Sequence, residues 1–313
     1  MLIPYLYNTS SPLLLILDLF YTMSDYELYR YTPSIVAAAI FAVIFFLSTF
    51  FQAWRTFKTR SWYFSAMIVG GLMEGIGYIG RIMSHSNPKT LGPYIMQTLL
   101  LLVAPALFAA AIYVVLGRII RMLHAERFSL IRINWLTKFF VLGDVISFLL
   151  QSGGGGIMAS GNGNSAKIGQ YVIVIGLLAQ ILWFGGFIFV AGMFHYRMRV
   201  VPTVTEKTNW RRLMHVLYAA SVLILVRSIF RVIEFAQGND GYFMRSEAWI
   251  YIFDSVLMAG VITLFNIFHP SSFLRDDEQY TMAEREEKAT RVHDEEHATT
   301  VTQHPYSDPR RAL

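Results

Sequence analysis

Cysteine is absent from this sequence. No disulfide and no thiolate metal site can therefore form, and cysteine usage says nothing about compartment. Charge is scarce: only 15% of the residues are Asp, Glu, Lys or Arg, against about a quarter in soluble domains. No G-x-x-x-x-G-K-[S/T] run occurs, which removes a P-loop for ATP, and the glycine run 153–156 lacks the Lys-Ser/Thr pair that a phosphate cradle needs. No G-x-S-x-G elbow offers a serine nucleophile. The apolar stretch Leu13–Phe20 has neither a basic segment before it nor a small-residue cleavage site after it, so it reads as an interfacial segment and not as a secretory signal.

What the sequence has is apolar surface. Hydrophobic residues make up 55% of its 313 positions and mean hydropathy is +0.45, more than a soluble core of this size can hide. A spanning helix needs about 20 largely apolar residues. Seven windows qualify: Pro33–Ala53, Trp62–Met83, Tyr94–Leu116, Leu136–Met158, Ile168–Phe194, Leu213–Phe235 and Ala248–Phe268. Lipid supplies no hydrogen bonds to the backbone, so these windows must be helical. The expectation is an all-α membrane protein, a seven-transmembrane-helix bundle over residues 33–270. It is preceded by an N-terminal segment, 1–32, and followed by a charged tail, 271–313, too poor in large apolar residues to fold.

Basic residues alternate between the connections. Arg55, Lys58 and Arg60 follow the first span. Arg118, Arg121, Arg127 and Arg132 follow the third, and Arg197, Arg199, Lys207, Arg211 and Arg212 follow the fifth. The tail adds Arg275, Arg285, Lys288, Arg291, Arg310 and Arg311. The other side holds only Arg30, Lys89, Lys167 and Arg245. The positive-inside rule then places the N-terminus outside and the tail in the cytosol. The sequon at Asn8 falls on the outer side, as glycosylation requires.

Polar residues inside the spans carry the functional signal, because each costs a few kcal/mol on insertion scales and so faces a partner or a cavity. Glu74 and Arg81 lie seven residues apart on one helix face with Tyr78 between them. Gln97 is in the third span, Asp144, Ser147 and Gln151 in the fourth, Gln180 in the fifth. Arg227, Arg231 and Glu234 share a face of the sixth, and Tyr251 and Asp254 lie one turn apart in the seventh, with Glu247 at its outer end. By helical rise most sit in the outer half of the membrane, Glu74 and Gln180 near its middle, and Asp144 alone in the inner half. Three guanidiniums (Arg81, Arg227, Arg231) against four carboxylates (Glu74, Asp144, Glu234, Asp254) suggest mutual pairing around a water-filled vestibule open to the outside, with Arg231–Asp254 the first pair expected. Gly71-x-x-x-Gly75 permits close helix approach, Pro105 interrupts the third helix, and Gly153–Gly156 should weaken the outer end of the fourth.

The polar spacing resembles a known pattern. Glu74-x-x-Gly77-Tyr78-x-x-Arg81 is followed by Gln97…Ala104-Pro105…Ala109…Tyr113…Arg118, then Asp144…Gln151-x-Gly153-Gly154-Gly155, then Gly176…Gln180. The most specific block is Arg227…Phe230-Arg231-x-x-Glu234…Gly238…Glu247-x-x-x-Tyr251-x-x-Asp254, closed by His269-Pro270. In order and spacing these are similar to the fungal RTA-like family of lipid-translocating exporters, across residues 30–272. Many relatives continue His-Pro with Gly where this chain has Ser271. The resemblance implies a fungal seven-helix protein that exports or flips sphingoid long-chain bases or related toxic amphiphiles, at the plasma membrane first and an internal membrane as the alternative. It implies no enzyme activity and no cofactor.

On this reading Glu74, Glu234 and Asp254 hold a cationic amine, and Arg227 and Arg231 pair with them when the site is empty. Tyr78, Arg81, Gln97, Asp144, Gln151, Gln180 and Tyr251 complete the candidate substrate-binding set. Partners are membrane lipids or small amphiphiles, not nucleic acid, with a cytosolic partner conceivable at the tail. The alternative is a seven-helix lipid receptor. Against it, the third span lacks a following Asp-Arg-Tyr and the seventh lacks Asn-Pro-x-x-Tyr. The seventh span also has no lysine, which argues against a retinal Schiff base. A membrane hydrolase would need a metal or nucleophile constellation. His195, His215 and His269 fall singly at helix ends, and His293-x-x-Glu296-His297 lies in the tail, so no metal site is expected.

Overall fold

A computed structural model describes residues 34–86, 91–123, 125–159, 163–199, 210–237 and 247–273. Seven helices form a bundle, each long and apolar enough to cross a membrane, and the chain is a multi-pass all-α membrane protein. They are α1 (Ile35–Thr59), α2 (Ser65–Ser86), α3 (Leu91–Met122), α4 (Ile133–Ala159), α5 (Gly163–Arg199), α6 (Trp210–Gln237) and α7. Helix α7 begins with Glu247–Ile250, passes through a π-helical turn at Tyr251–Val256, and continues as Leu257–Ile267. Several helices outrun their hydrophobic windows, α3 to Met122 and α5 to Arg199. Their ends carry Arg121, Arg197 and Arg199, and Arg197 Nη1 donates to the Phe128 carbonyl at 3.4 Å.

Successive helices pack side by side, and α7 closes the ring by meeting both α6 and α1. Helix α3 also touches α5 and α6, so it is the inner helix of the bundle. Its core residues Phe108, Ile112, Val115, Leu116 and Ile119 are fully buried. The opposite pattern marks the rim: Val36, Leu47 and Phe50 on α1 and Leu182 and Phe189 on α5 are largely exposed, the surface a bilayer would cover. One end of the bundle gathers Arg55, Lys58, Arg118, Arg121 and Arg197 and is called here the basic end. Helix α1 stops there with Arg60 in the left-handed region (φ 53°), its N–H returned to Phe57 O and Thr56 O. Arg55 donates to Asn266 O, and the Arg118 guanidinium lies 3.7 Å from the Tyr63 ring centroid.

Glycines set the spacing of α2. A Cβ at Gly71 would strike the Thr49 hydroxyl and come within 2.9 Å of Ile262 Cδ1, and one at Gly75 would lie 2.9 Å from the Phe46 ring. The Gly71-x-x-x-Gly75 spacing thus seats α2 against α1 and α7.

The weak outer end expected of α4 is corrected: the helix continues through 153–156 to Ala159. Gly154 lies backbone to backbone against Gly169 of α5, and this close packing offsets the low helix propensity of the run. The segment 1–32 with Asn8, and the tail from 274 with His293–His297, lie outside the described residues. Residues 270–273 form a helical turn in which Ser271 is buried and its hydroxyl lies 2.7 Å from His269 Nδ1.

Candidate functional site

The polar residues singled out in the sequence fall into two groups. The larger lies between α2, α6 and α7, from the middle of the bundle towards the end opposite the basic one. Asp254 is its centre, 2% exposed. Its Oδ1 accepts from Arg227 Nε and its Oδ2 faces Arg231 Nη2 at 3.2 Å. Arg231 also donates from Nη1 to Glu234 at 2.9 Å, one turn away on its own helix. The expected Arg231–Asp254 pair is present, and Asp254 takes a second guanidinium besides.

Two backbone irregularities build this centre. Pro105 has no N–H, so the carbonyl of Leu101, four residues earlier, lacks its helical donor. Arg227 Nη2 donates to that carbonyl at 2.9 Å, which ties α6 to the inner helix where α3 is short of a hydrogen bond. The second irregularity is the π turn of α7. Its wider winding brings Tyr251, Asp254 and Ser255 together on the buried side while Ile252 and Val256 stay half exposed.

Further out, Arg81 meets Glu247 at 2.8 Å and donates from Nε to Tyr251 Oη at 3.1 Å. Glu247 accepts the Tyr251 hydroxyl at 3.0 Å and the backbone N–H of Ser34, the N-cap of α1, at 2.9 Å. Its position as first residue of α7 also suits the helix dipole. An aromatic wall lines the same region. Tyr78 stacks on Phe45 with centroids 5.7 Å apart, and Phe41 stacks on Tyr251 at 5.4 Å. The Tyr78 hydroxyl is hydrogen-bonded to Ser255 Oγ. Gln97, buried on α3, lies where α2 approaches at Gly80.

Glu74 completes this group and differs from it. It is 1% exposed, no ion pair joins it to a guanidinium among the described residues, and its Oε1 has no hydrogen-bond partner in the protein. Four buried or half-buried carboxyl groups (Glu74, Glu234, Glu247, Asp254) thus face three guanidiniums (Arg81, Arg227, Arg231), and Glu74 is the surplus one. The expected mutual pairing is present as a seam: Arg81, Arg227 and Arg231 are each paired with a carboxylate, which is how charged groups remain inside a low-dielectric bundle.

Asp144, Gln151 and Gln180 do not join this seam. They lie in the other half of the bundle, where Tyr113 Oη donates to Asp144 Oδ2 at 2.9 Å and Gln151 Nε2 donates to Gln180 at 3.0 Å. Sequence spacing alone could not separate the groups, since it fixes depth and face but not which helices adjoin. Ser255, Phe41, Phe45 and the Leu101 carbonyl also escaped it: apolar or uncharged positions carry no burial penalty to flag them. Among the described residues no three metal-ligating side chains cluster. The His195 and His215 rings are 6.0 Å apart at the basic end, and His269 packs on Phe64.

The RTA1 like protein family model matches residues 67–277, from α2 through α7. Protein RTM1 of Saccharomyces cerevisiae is 36% identical, the match covering 80% of this chain and 94% of the relative. Protoporphyrin uptake protein 1 of the same species is 37% identical over 79% of this chain and 93% of the relative. The sphingoid long-chain base transporter RSB1, also from S. cerevisiae, is 28% identical over 67% and 64%. No solved structure matches the chain.

Proposed function

We propose that this chain, which belongs to the RTA1-like protein family, is a transporter of amphiphilic lipids, of which sphingoid long-chain bases are the best-fitting class. The observation that carries this reading is the surplus carboxylate Glu74, buried mid-bundle beside an ion-paired seam and an aromatic wall. A cationic amine entering here gains a free carboxylate, and faces such as those of Tyr78 and Phe45 favour a cation and its alkyl chain together. The names of two relatives, a sphingoid long-chain base transporter and a protoporphyrin uptake protein, support the class of cargo. With no ATP motif in the sequence, movement on this reading is facilitated or driven by a gradient.

The test is transbilayer movement of fluorescent sphingoid-base and phospholipid analogues in liposomes containing the purified protein. Base movement should exceed that of empty liposomes. It should fall at least several-fold in Glu74→Gln and in Glu234→Gln, which preserve shape and remove the charge. Wild-type movement no faster than in empty liposomes, with and without an ion gradient, would overturn the reading and favour a lipid receptor.

We also propose that the basic end faces the cytosol, with the N-terminus outside, most readily at the plasma membrane. The excess of Lys and Arg in the connections at that end supports this. A protease added to intact cells should leave a C-terminal tag uncut and cut it once the membrane is permeabilised. A tag cut in intact cells reverses the orientation.

A further inference from the structure

Among the described residues Asp144 is, after Glu74, the second buried carboxyl group without a cation, and it stands apart from the seam. It is 4% exposed. Its Oδ2 accepts from Tyr113, and its Oδ1 has no partner in the protein. The Tyr113 ring is packed among Phe140, Phe184 and Phe187, with centroids 5.5, 6.1 and 4.5 Å away. The one hydroxyl that reaches Asp144 is therefore held by an aromatic cluster.

The charged and titratable groups on the adjoining helices do not compensate it. On α3, Tyr113 is its donor, and Arg118, five residues nearer the basic end, lies over the Tyr63 ring. On α5, Tyr171 is the only titratable residue between Lys167 and His195, and it is largely exposed. On α4 itself the nearest cation in sequence is the exposed Lys138. Beyond α5, His195 and Tyr218 of α6 face each other at 3.3 Å. An ionised carboxylate with one hydroxyl donor and no cation is costly in such a place, and it escapes the cost by holding a proton.

We infer that Asp144 is a proton-binding site, separate from the amine-binding seam, through which the protein couples cargo movement to a proton gradient. The inference rests on the transport reading for its coupling and on the local geometry alone for its proton. A permanently neutral site needs no carboxyl group, whereas this one has a single donor ready to stabilise the ionised form when water reaches it. Proton bookkeeping then suits a cationic cargo. One proton bound from water on one side and released to water on the other, while one monovalent amine crosses the opposite way, displaces no net charge.

Two sets of measurements on the full chain in phosphatidylcholine liposomes test this. The first does not depend on transport. Dicyclohexylcarbodiimide, which reacts with protonated carboxyl groups in apolar sites, should give an adduct mapped by mass spectrometry to Asp144. The yield should fall as pH is raised. The infrared C=O band of a protonated acid should lose a component in Asp144→Asn. Tyr113→Phe, which keeps the carboxyl group, should keep the adduct, so a folding defect in Asp144→Asn does not decide the matter.

The second set compares sphingoid-base movement with and without a proton gradient. The gradient should accelerate movement several-fold in the wild type, and the ratio should fall to one in Asp144→Asn. An adduct confined to other carboxyl groups, an unchanged infrared band, or a gradient response retained in Asp144→Asn overturns the proposal. If the wild type moves no lipid, the transport reading fails, while labelling and the infrared band still decide whether Asp144 binds a proton.

Discussion

Replacing Asp254 by alanine is expected to destabilise the bundle by about 3–5 kcal/mol, the cost of removing one member of a buried ionic group, and to abolish lipid movement. Two guanidiniums converge on this carboxylate, and they differ in what remains to them. Arg231 keeps Glu234 at 2.9 Å. Arg227, with its side chain 3% exposed, keeps only the Leu101 carbonyl among the described residues. The larger share of the loss is therefore an uncompensated charge on α6.

A paired change separates stability from function. Arg227→Met with Asp254→Leu removes both charges and refills the space, and buried pairs replaced this way are often neutral or stabilising. The double variant should recover much of the stability lost by Asp254→Ala and none of the transport. Unfolding by sodium dodecyl sulfate in mixed micelles gives the first quantity, and the liposome assay gives the second. An Asp254→Ala variant as stable as the wild type would sink the claim that this group holds α3, α6 and α7 together.

The sequence made the helices legible because the bilayer imposes one rule, a sufficiently long apolar run, and the seven windows obey it. It also exposed most of the charged seam, since ionisable residues in such runs stand out. The Arg231–Asp254 pair was the first expected, both residues lying in the outer half of the membrane by helical rise, and it is present. That Arg227 reaches the same carboxylate was not legible. It depends on a carbonyl freed by a proline on a third helix and on a π turn that re-aims Asp254, and neither leaves a residue-type signal at position 227. The division of the polar set had the same cause. Glu74 and Asp144 are both lone carboxyl groups in apolar helices, and only the packing order shows one near the guanidiniums of Arg227 and Arg231 and the other bound to a tyrosine set among phenyl rings.

The glycine run of α4 taught the most about reading small residues, and it carries the second large prediction. Gly153, Gly155 and Gly156 have nothing within 4 Å of where a Cβ would be, whereas Gly154 and Gly169 are pressed together. A Cβ at Gly169 would lie 2.5 Å from both Gly154 O and Met158 N. These are backbone atoms of a helix and cannot swing aside as a side chain does. Overpacking costs about 1–3 kcal/mol where neighbours yield. Gly169→Val, forcing two backbones apart, should reach or exceed the top of that range and sharply reduce the yield of monodisperse protein.

Gly155→Val is the matched control. It adds the same side chain to open space and exchanges a poor helix former for a better one, a gain of a few tenths of a kcal/mol. Thermal unfolding of the two purified variants should place Gly169→Val far below the wild type and Gly155→Val at or slightly above it. Equal stabilities would mean that the α4–α5 contact is not made through these glycines. The expected contrast would show that one glycine of the run fits the helices together and its neighbours only accompany it.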